Sequence, residues 1–409
     1  MPRARVLLLI PNLSFGGAQR AFNDQSTLLR EGYDVIECAF NLTEGHAYPS
    51  GSLLIDLKVP AGQSVLGKAL RFLQRVVLLR RVKKKYNIDV CISHLEGADL
   101  VNVLSRRKEK IICWVHGSKM HDGNISGWIG YLRHKILIPF TYRRCDEVVT
   151  VSAAIGSELS NYYGIPKDKI KTIHNFFDVQ RIQARAALPV EDRFRNIFNS
   201  SKTIMTAGRL AKEKNLTEFI SWYSQFKGRT ETKLAIIGDG DDRKALLDAC
   251  ADGGLRTYHP WSDADLDSSY EVYFFGYQEN PFKFMASSTV FFLSSHWEGF
   301  PLVLGEAMAC GVPIASADCP TGPREFLTGR DPSGEPISLH EFCEFGLLLP
   351  LLKKETYREW NTALGKLLKD DEMLTHYRAR SRERVQRFSR AAYNEALVTI
   401  LDRLVDRQG

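Results

Sequence analysis

Two acidic residues, Glu298 and Glu306, bracket the run Glu-Gly-Phe-Pro-Leu-Val-Leu-Gly-Glu. The apolar stretch Val290–Ser294 ahead of them reads as a strand. Pro301 suits the first position of a following helix, and Gly311 suits the left-handed residue that closes one. First-turn amides of such a helix attract an anion, and Gly299, Phe300, Pro301 and Leu302 form the turn that delivers them. With a diphosphate there, Glu306, one turn further in, is placed to accept from the vicinal hydroxyls of a ribose. That is the chemistry of a sugar-nucleotide site; the alternative is a solvated loop acid and an exposed helix position.

A second loop carries two cations: Gly208-Arg209-Leu-Ala-Lys-Glu-Lys214-Asn215, after an expected strand Thr203–Thr206. Arg209 as a planar fork and Lys214 as a point charge can meet on one pyrophosphate. Ser14-Phe-Gly-Gly-Ala-Gln-Arg20 joins the first strand to the first helix. There Gly16 and Gly17 either admit a ligand close to the backbone or make a tight turn. The spacing is not G-x-G-x-x-G and the second strand ends Ala39-Phe40-Asn41 without an acid, which argues against NAD or FAD. His116, in Trp114-Val-His116-Gly-Ser118, falls at a C-terminal strand end, the ligand edge of a parallel sheet. A hydrogen-bonded structural histidine is the other reading. Asp263-Ala-Asp265 and Asp265-Leu-Asp267 read as solvated loop acids, so no metal site is expected.

These loops need strands and crossover helices to position them. Apolar runs at Val6–Ile10, Val35–Phe40, Val90–Ser93, Ile111–Val115 and Val148–Val151 alternate with helical segments, the pattern of a doubly wound α/β sheet. A second such series begins at Thr203, with irregular stretches at 253–270 and 329–343 and a helical region from Lys354 onward. At 409 residues the chain is long for one core. Two domains are expected, 1–180 and 181–390, with the hinge in the polar segment 180–200. No early apolar run is long enough for a signal or a span, and eight Cys without C-x-x-C suit buried thiols in a reducing compartment. A cytoplasmic protein is expected, so the sequons at Asn41, Asn124, Asn199 and Asn215 carry no weight.

The stretch EGFPLVLGEAMACGVPIAS resembles the E-x7-E motif of the retaining glycosyltransferases of GT-B fold, family 4 (group 1). The Gly208–Asn215 loop matches that family's G-R-x-x-x-x-K-N, and Gly16-Gly17 resembles the loop facing the donor diphosphate. The resemblance implies two Rossmann-like doubly wound domains facing across a cleft, the first completed by a last helix, 391–409. It implies Glu298 near the transferred sugar, Glu306 on the ribose, His116 on the donor sugar, and Arg209 and Lys214 neutralising the departing diphosphate in place of a metal. Gly238 and Gly276-Tyr277 resemble the loops around the base, where backbone groups could read a uracil edge. Asp318-Cys-Pro-Thr-Gly-Pro-Arg-Glu325 is similar to the branch that builds bacterial surface polysaccharides and lipid-linked oligosaccharides. The implied activity is transfer of a hexose or N-acetylhexosamine from a nucleotide sugar, with UDP the expected carrier, to a glycan or lipid-linked saccharide, without cofactor or metal. An epimerase of the same fold and a non-catalytic membrane-associated assembly protein are the alternatives.

Net charge is +7, yet between Leu57 and Ile88 nine Lys or Arg stand without an acid, so the rest of the chain is slightly acidic. Gly67–Lys85 reads as an amphipathic helix with Lys68, Arg71 and Arg75 on one face and Leu70, Leu73, Val76 and Val77 on another. Arg80 and Arg81 extend the basic face. It suits an anionic surface or lipid pyrophosphate, hence peripheral attachment to the cytoplasmic face of the inner membrane, or else a surface helix packed on the sheet. Nucleic acid is not expected, since aromatic interleaving stops at Phe72.

Overall fold

A computed structural model describes residues 3–14, 16–42, 50–121, 127–226, 228–262, 265–330 and 334–406; Phe15, Asn124 and Asp263 lie outside the described residues. The chain forms two compact units, Met1–Asn175 with Ala391–Gly409, and Phe176–Arg390.

The first unit is built on seven strands: β1 (Arg5–Ile10), β2 (Asp34–Ala39), β3 (Leu53–Asp56), β4 (Val90–His94), β5 (Lys110–Val115), β6 (Glu147–Thr150) and β7 (Ile170–Thr172). Their order is β3-β2-β1-β4-β5-β6-β7, and every pairing is parallel. Helices cover both faces, so β1 is buried from Val6 to Ile10 and shows an apolar run instead of alternation. Strand order reverses between β1 and β4, which opens a crevice at their carboxyl ends. The last helix, Arg390–Asp406, packs on this unit: near the amino ends of the strands Tyr33 Oη donates to Asp402 at 2.7 Å, and Arg403 pairs with Glu147 at 2.6 Å.

The second unit holds β8 (Lys202–Ala207), β9 (Thr232–Ile237), β10 (Thr257–Tyr258), β11 (Val272–Gly276), β12 (Val290–Leu293), β13 (Ile314–Ala317), β14 (Glu341–Cys343) and β15 (Gly346–Leu349). The order is β10-β11-β9-β8-β12-β13-β15-β14, parallel except for the β14–β15 hairpin. Its switch point lies between β8 and β12. An aromatic core including Phe219, Trp222, Phe292 and Trp360 is fully buried beneath it.

Several local expectations need correction. The segment 180–200 is no open hinge: it forms helices Val179–Ala186 and Asp192–Ser200 of the second unit, seated by Ile182, Phe194 and Ile197. Few apolar residues among many charges hid that spacing. Four strands lie outside the expected elements: β3 is a short edge strand, β10 and β14 are two- and three-residue strands within the stretches expected to be irregular, and β15 follows directly on one of them. The helical segment expected between Ile111–Val115 and Val148–Val151 is not regular: a π-helical turn, Arg133–Leu137, joins helices Gly127–Leu132 and Ile138–Arg144 just before Pro139, whose ring nitrogen has no hydrogen to donate.

Helix Val65–Lys85 is rotated relative to the expected faces. Phe72, Val76, Leu78 and Val82 pack against the core around buried Leu79. Leu66, Leu70, Leu73 and Val77 instead stand 49–71% exposed. Packing against the strands, which a one-dimensional pattern does not specify, selected the face.

Candidate functional site

The loops after β8 and β12 meet at the switch point of the second unit, and Thr206, Gly208, Arg209, Lys214, Leu293 and Ser294 line a small cleft there. Lys214 Nζ lies 2.7 Å from Glu298 Oε1, and Ser295 Oγ donates to the same oxygen at 2.6 Å. Ser294 Oγ donates to the Lys214 carbonyl at 2.8 Å, so the two loops are stitched at backbone level as well. Arg209, with a side chain 71% exposed, pairs with Glu213 at 2.5 Å, and Glu213's carbonyl accepts from His296 N at 2.8 Å. The result is a cationic rim, Arg209 and Lys214, held by acids that leave several of its N–H donors for an anion.

Close approach of backbones shapes the floor. Gly238 has φ 136°, and a Cβ on it would lie 1.8 Å from the Gly208 carbonyl oxygen; one on Gly240 would lie 2.3 Å from that of Leu210. Only glycine fits at Gly238. The Gly276 carbonyl accepts from Gly238 N at 2.8 Å, so it is already engaged within the sheet, whereas Tyr277 is 67% exposed beside it.

The turn after Glu298 is clamped by the Asp318–Glu325 loop. Glu298 N donates to the Pro320 carbonyl at 2.7 Å, and Thr321 donates from N and from Oγ1 to the Glu298 carbonyl, each at 3.0 Å. Gly322, at φ 97°, passes so close that a Cβ would meet Pro301 Cδ at 2.7 Å. Asp318 is buried, pairs with Arg324 and accepts from Ile337 N, so this loop is a structural brace. Helix Leu302–Ala309 begins one residue later than expected, with Pro301 as its N-cap, and Gly311 closes it at φ 72°. Glu306 is 9% exposed on that helix. The Phe300 ring is buried against Phe326 (4.4 Å between centroids) and Phe388 (5.2 Å) and serves as the plug beneath the turn, so the expected donor contact of this turn rests on backbone amides and not on that ring.

In the first unit half-buried His116 follows β5 and ends a chain of polar groups that is otherwise buried. His94 Nδ1 and His116 Nε2 are 2.8 Å apart, His94 Nε2 is 3.0 Å from Gln25 Oε1, and Gln25 Nε2 donates to Tyr393 Oη at 3.0 Å. Burial and the nearby Lys119 ammonium push His116 down to about 3. Burial, then His116, holds His94 well below its ordinary range too, so both rings are neutral at neutral pH. Glu158 pins the loop beyond His116, accepting from Lys119 N at 2.7 Å and Ser118 Oγ at 2.5 Å. Gly16 caps helix Gly17–Leu29 with φ 172°, an extended conformation open to any residue, so its backbone does not by itself demand glycine. Arg133, on the π-helical turn, is buried and forks onto Glu96 at 2.6 and 2.7 Å.

The basic helix is only partly a free cationic face. Arg75 donates twice to the Val59 carbonyl and lies 4.6 Å over the Phe40 ring, and Arg80 donates to the Arg106 carbonyl. Arg75 is half-buried and tied to the protein, contrary to the expected basic face, whereas Arg80 stays exposed with one donor engaged. Lys68, Arg71 and Arg81 are exposed among Leu66, Leu70, Leu73 and Val77.

Residues that sequence reasoning missed are Ser295, Thr321, His94 and Gln25. Ser294-Ser295 carried a usable signal, a polar pair where an apolar strand ends. The others act only through tertiary contacts.

The family description "Glycosyl transferases group 1" matches residues 190–334, and "Glycosyltransferase Family 4" matches residues 15–181. The chain belongs to the family 4, group 1 glycosyltransferases. This glycosyltransferase is 24% identical over 396 residues, 94% of its length and 95% of the relative's, to N-acetylgalactosamine-N,N'-diacetylbacillosaminyl-diphospho-undecaprenol 4-alpha-N-acetylgalactosaminyltransferase of Campylobacter jejuni. It is also 24% identical over 328 residues to the amylovoran biosynthesis glycosyltransferase AmsD of Erwinia amylovora, covering 79% of this chain and 83% of that one. Among solved structures, Anabaena HepE in complex with UDP aligns at TM-score 0.73 and 17% identity, over 97% of this chain and 99% of that one. The two units are those of the GT-B fold. Among the described residues no helix of the glycosyltransferase is long and apolar enough to cross a membrane, and no group of three or more His, Cys, Asp or Glu is placed to hold a metal ion.

Proposed function

We propose that this glycosyltransferase moves a hexose or N-acetylhexosamine from a UDP-linked donor, with retention of configuration, to a glycan or lipid-linked saccharide acceptor in surface-polysaccharide assembly. The observation that carries the reading is the Arg209–Lys214–Glu298–Ser295 cluster at the β8/β12 switch point. Lys214 keeps Glu298 as a partner while its other N–H bonds meet a diphosphate oxygen, and Arg209 at the exposed rim supplies a second charge. As the sugar–phosphate bond breaks, negative charge builds on the leaving diphosphate, and these two cations stabilise it there. Glu298, fixed by Ser295 and Lys214, suits the sugar's hydroxyls. Glu306 suits the ribose, and the leaving phosphate itself takes the acceptor's proton.

The Campylobacter relative's name describes an alpha-linking enzyme with a diphospho-undecaprenol substrate, which supports retention and a lipid-linked acceptor for this chain. The bound UDP of HepE supports the choice of base. Attachment to the cytoplasmic face of the inner membrane fits the exposed leucines and cations of helix Val65–Lys85. A donor-hydrolysis screen over UDP-, GDP- and ADP-hexoses and UDP-N-acetylhexosamines, with and without EDTA, tests the assignment. UDP-sugar hydrolysis unaffected by EDTA is expected. Strict preference for another base, loss of activity rescued by Mn²⁺ or Mg²⁺, or an epimerised sugar still joined to UDP would overturn it.

A further inference from the structure

His116 is half-buried against the fully buried His94, it has no acid partner among the described residues, and the chain behind it has a direction. Gln25 Nε2 donates to Tyr393 Oη at 3.0 Å, which turns Gln25 Oε1, an acceptor with no hydrogen, toward His94 Nε2 at 3.0 Å. His94 Nε2 must then carry the proton. In a neutral ring that leaves Nδ1 bare, and Nδ1 faces His116 Nε2 at 2.8 Å. His116 Nε2 must therefore be the donor, which leaves its Nδ1 as a lone pair. The groups behind His116 are held in place: His94 and Gln25 are fully buried, Tyr393 is 4% exposed, Trp114 lies nearly parallel to the His94 ring at 5.9 Å, and Phe22 meets that ring edge-on at 5.3 Å.

We propose that His94 and Gln25 are positioning residues that hold His116 as its Nε2–H tautomer, so that His116 offers the donor sugar a hydrogen-bond acceptor, Nδ1, and not a proton. The proposal rests on the reading that His116 contacts the donor sugar. A hydroxyl-bearing neutral hexose or N-acetylhexosamine fits such a group; a hexuronate carboxylate at the same place would face a lone pair with no hydrogen between them. Tyr393, from the C-terminal helix, anchors the relay, which gives that helix a role in the chemistry of the first unit.

The test is ¹⁵N-resolved histidine spectroscopy of the full chain at neutral pH. His116 should show a protonated Nε2 and a bare Nδ1, and its Nδ1 resonance should move when the nucleotide sugar that the protein hydrolyses is added, but not with the nucleoside diphosphate alone. Gln25→Met removes the acceptor at nearly constant volume; it should mix the tautomers of both rings and lower kcat/KM for the donor about tenfold, the worth of one oriented hydrogen bond. A protonated Nδ1 in the wild type, unchanged tautomers in Gln25→Met, or an Nδ1 signal indifferent to a bound nucleotide sugar would each overturn the proposal. The wild-type tautomer is read without substrate or variant. It therefore stands or falls apart from whether Gln25→Met folds and whether the transferase assignment holds.

Discussion

Glu298 and Lys214 neutralise each other at 2.7 Å, and the pair is only 11% and 23% exposed at its side chains, so removing either leaves a half-buried charge without its partner. Lys214→Ala should consequently do two kinds of damage. It should cut kcat by ~10²–10³, as loss of a preorganised transition-state donor does, and lower the melting temperature by a few degrees. Arg209→Ala should show the kinetic loss without the thermal one, because Arg209 sits at the exposed rim. Turnover close to normal in the double variant contradicts both roles. Glu306→Ala is expected to weaken UDP binding about ten- to a hundredfold, since a hydrogen bond to a charged group contributes ~1.5–3 kcal/mol. Calorimetry with UDP reads this directly, and unchanged affinity removes Glu306 from the ribose site.

Strands and helices decide what these residues can reach. β8 and β9 end so close together that the Gly208 carbonyl occupies the space a side chain on Gly238 would need. Gly238→Ala should therefore displace the Gly208–Lys214 loop, with donor affinity and thermal stability falling together. A variant as stable and active as the wild type shows that the loop yields. Helix Val65–Lys85 poses the opposite case, in which position leaves a surface open. Its exposed Leu70 and Leu73 stand beside Arg71, and Arg81 lies further along, so the combined change Leu70→Ser, Leu73→Ser, Arg71→Gln and Arg81→Gln should release the protein from anionic vesicles. Each cation near such a surface is worth ~1 kcal/mol, and two leucines add their burial. Hydrolysis of the donor should hardly change. Equal co-sedimentation of variant and wild type at physiological salt would reduce the helix to a solvated face.

Across the whole molecule, stability must respond to acid in a direction set by buried groups of the first unit. His94 and His116 both titrate below the ordinary 6.5, His116 at about 3. In that window the unfolded chain binds protons that the native rings refuse, so stability rises with pH, by up to about 1.4 kcal/mol per pH unit for each ring. Asp99 works the other way. Burial pushes it up to about 7 from 3.8, despite hydrogen bonds from Ser93 and Tyr142, so over that range the native state holds a proton the unfolded chain has lost. Two rings outweigh one carboxyl: the urea midpoint should climb from pH 5 to pH 6.5, and Asp99→Asn should climb more steeply than the wild type. A midpoint flat over this range would show that the native rings take up protons as readily as the unfolded chain.

Loops that bind phosphates were legible in the chain because they obey local rules. Glycine where backbone approaches backbone, proline at a helix start, two cations within one loop and acids at a strand–turn–helix junction can all be read without knowing what packs against them. The same holds for the doubly wound class, since parallel strands covered on both faces must be apolar runs separated by helical ones. Partnership was not legible. That Phe300 turns inward, that Arg75 and Arg80 spend their donors on Val59 and Arg106, and that Leu70 and Leu73 face solvent all depend on which surfaces the sheet presents. His94, Gln25 and Tyr393 are separated from one another by up to 368 residues, yet they join by hydrogen bonds of about 3 Å. Sequence spacing specifies which residues share a turn or a helix face; only the folded chain decides which buried polar atoms must satisfy one another, because that requirement arises when water is excluded.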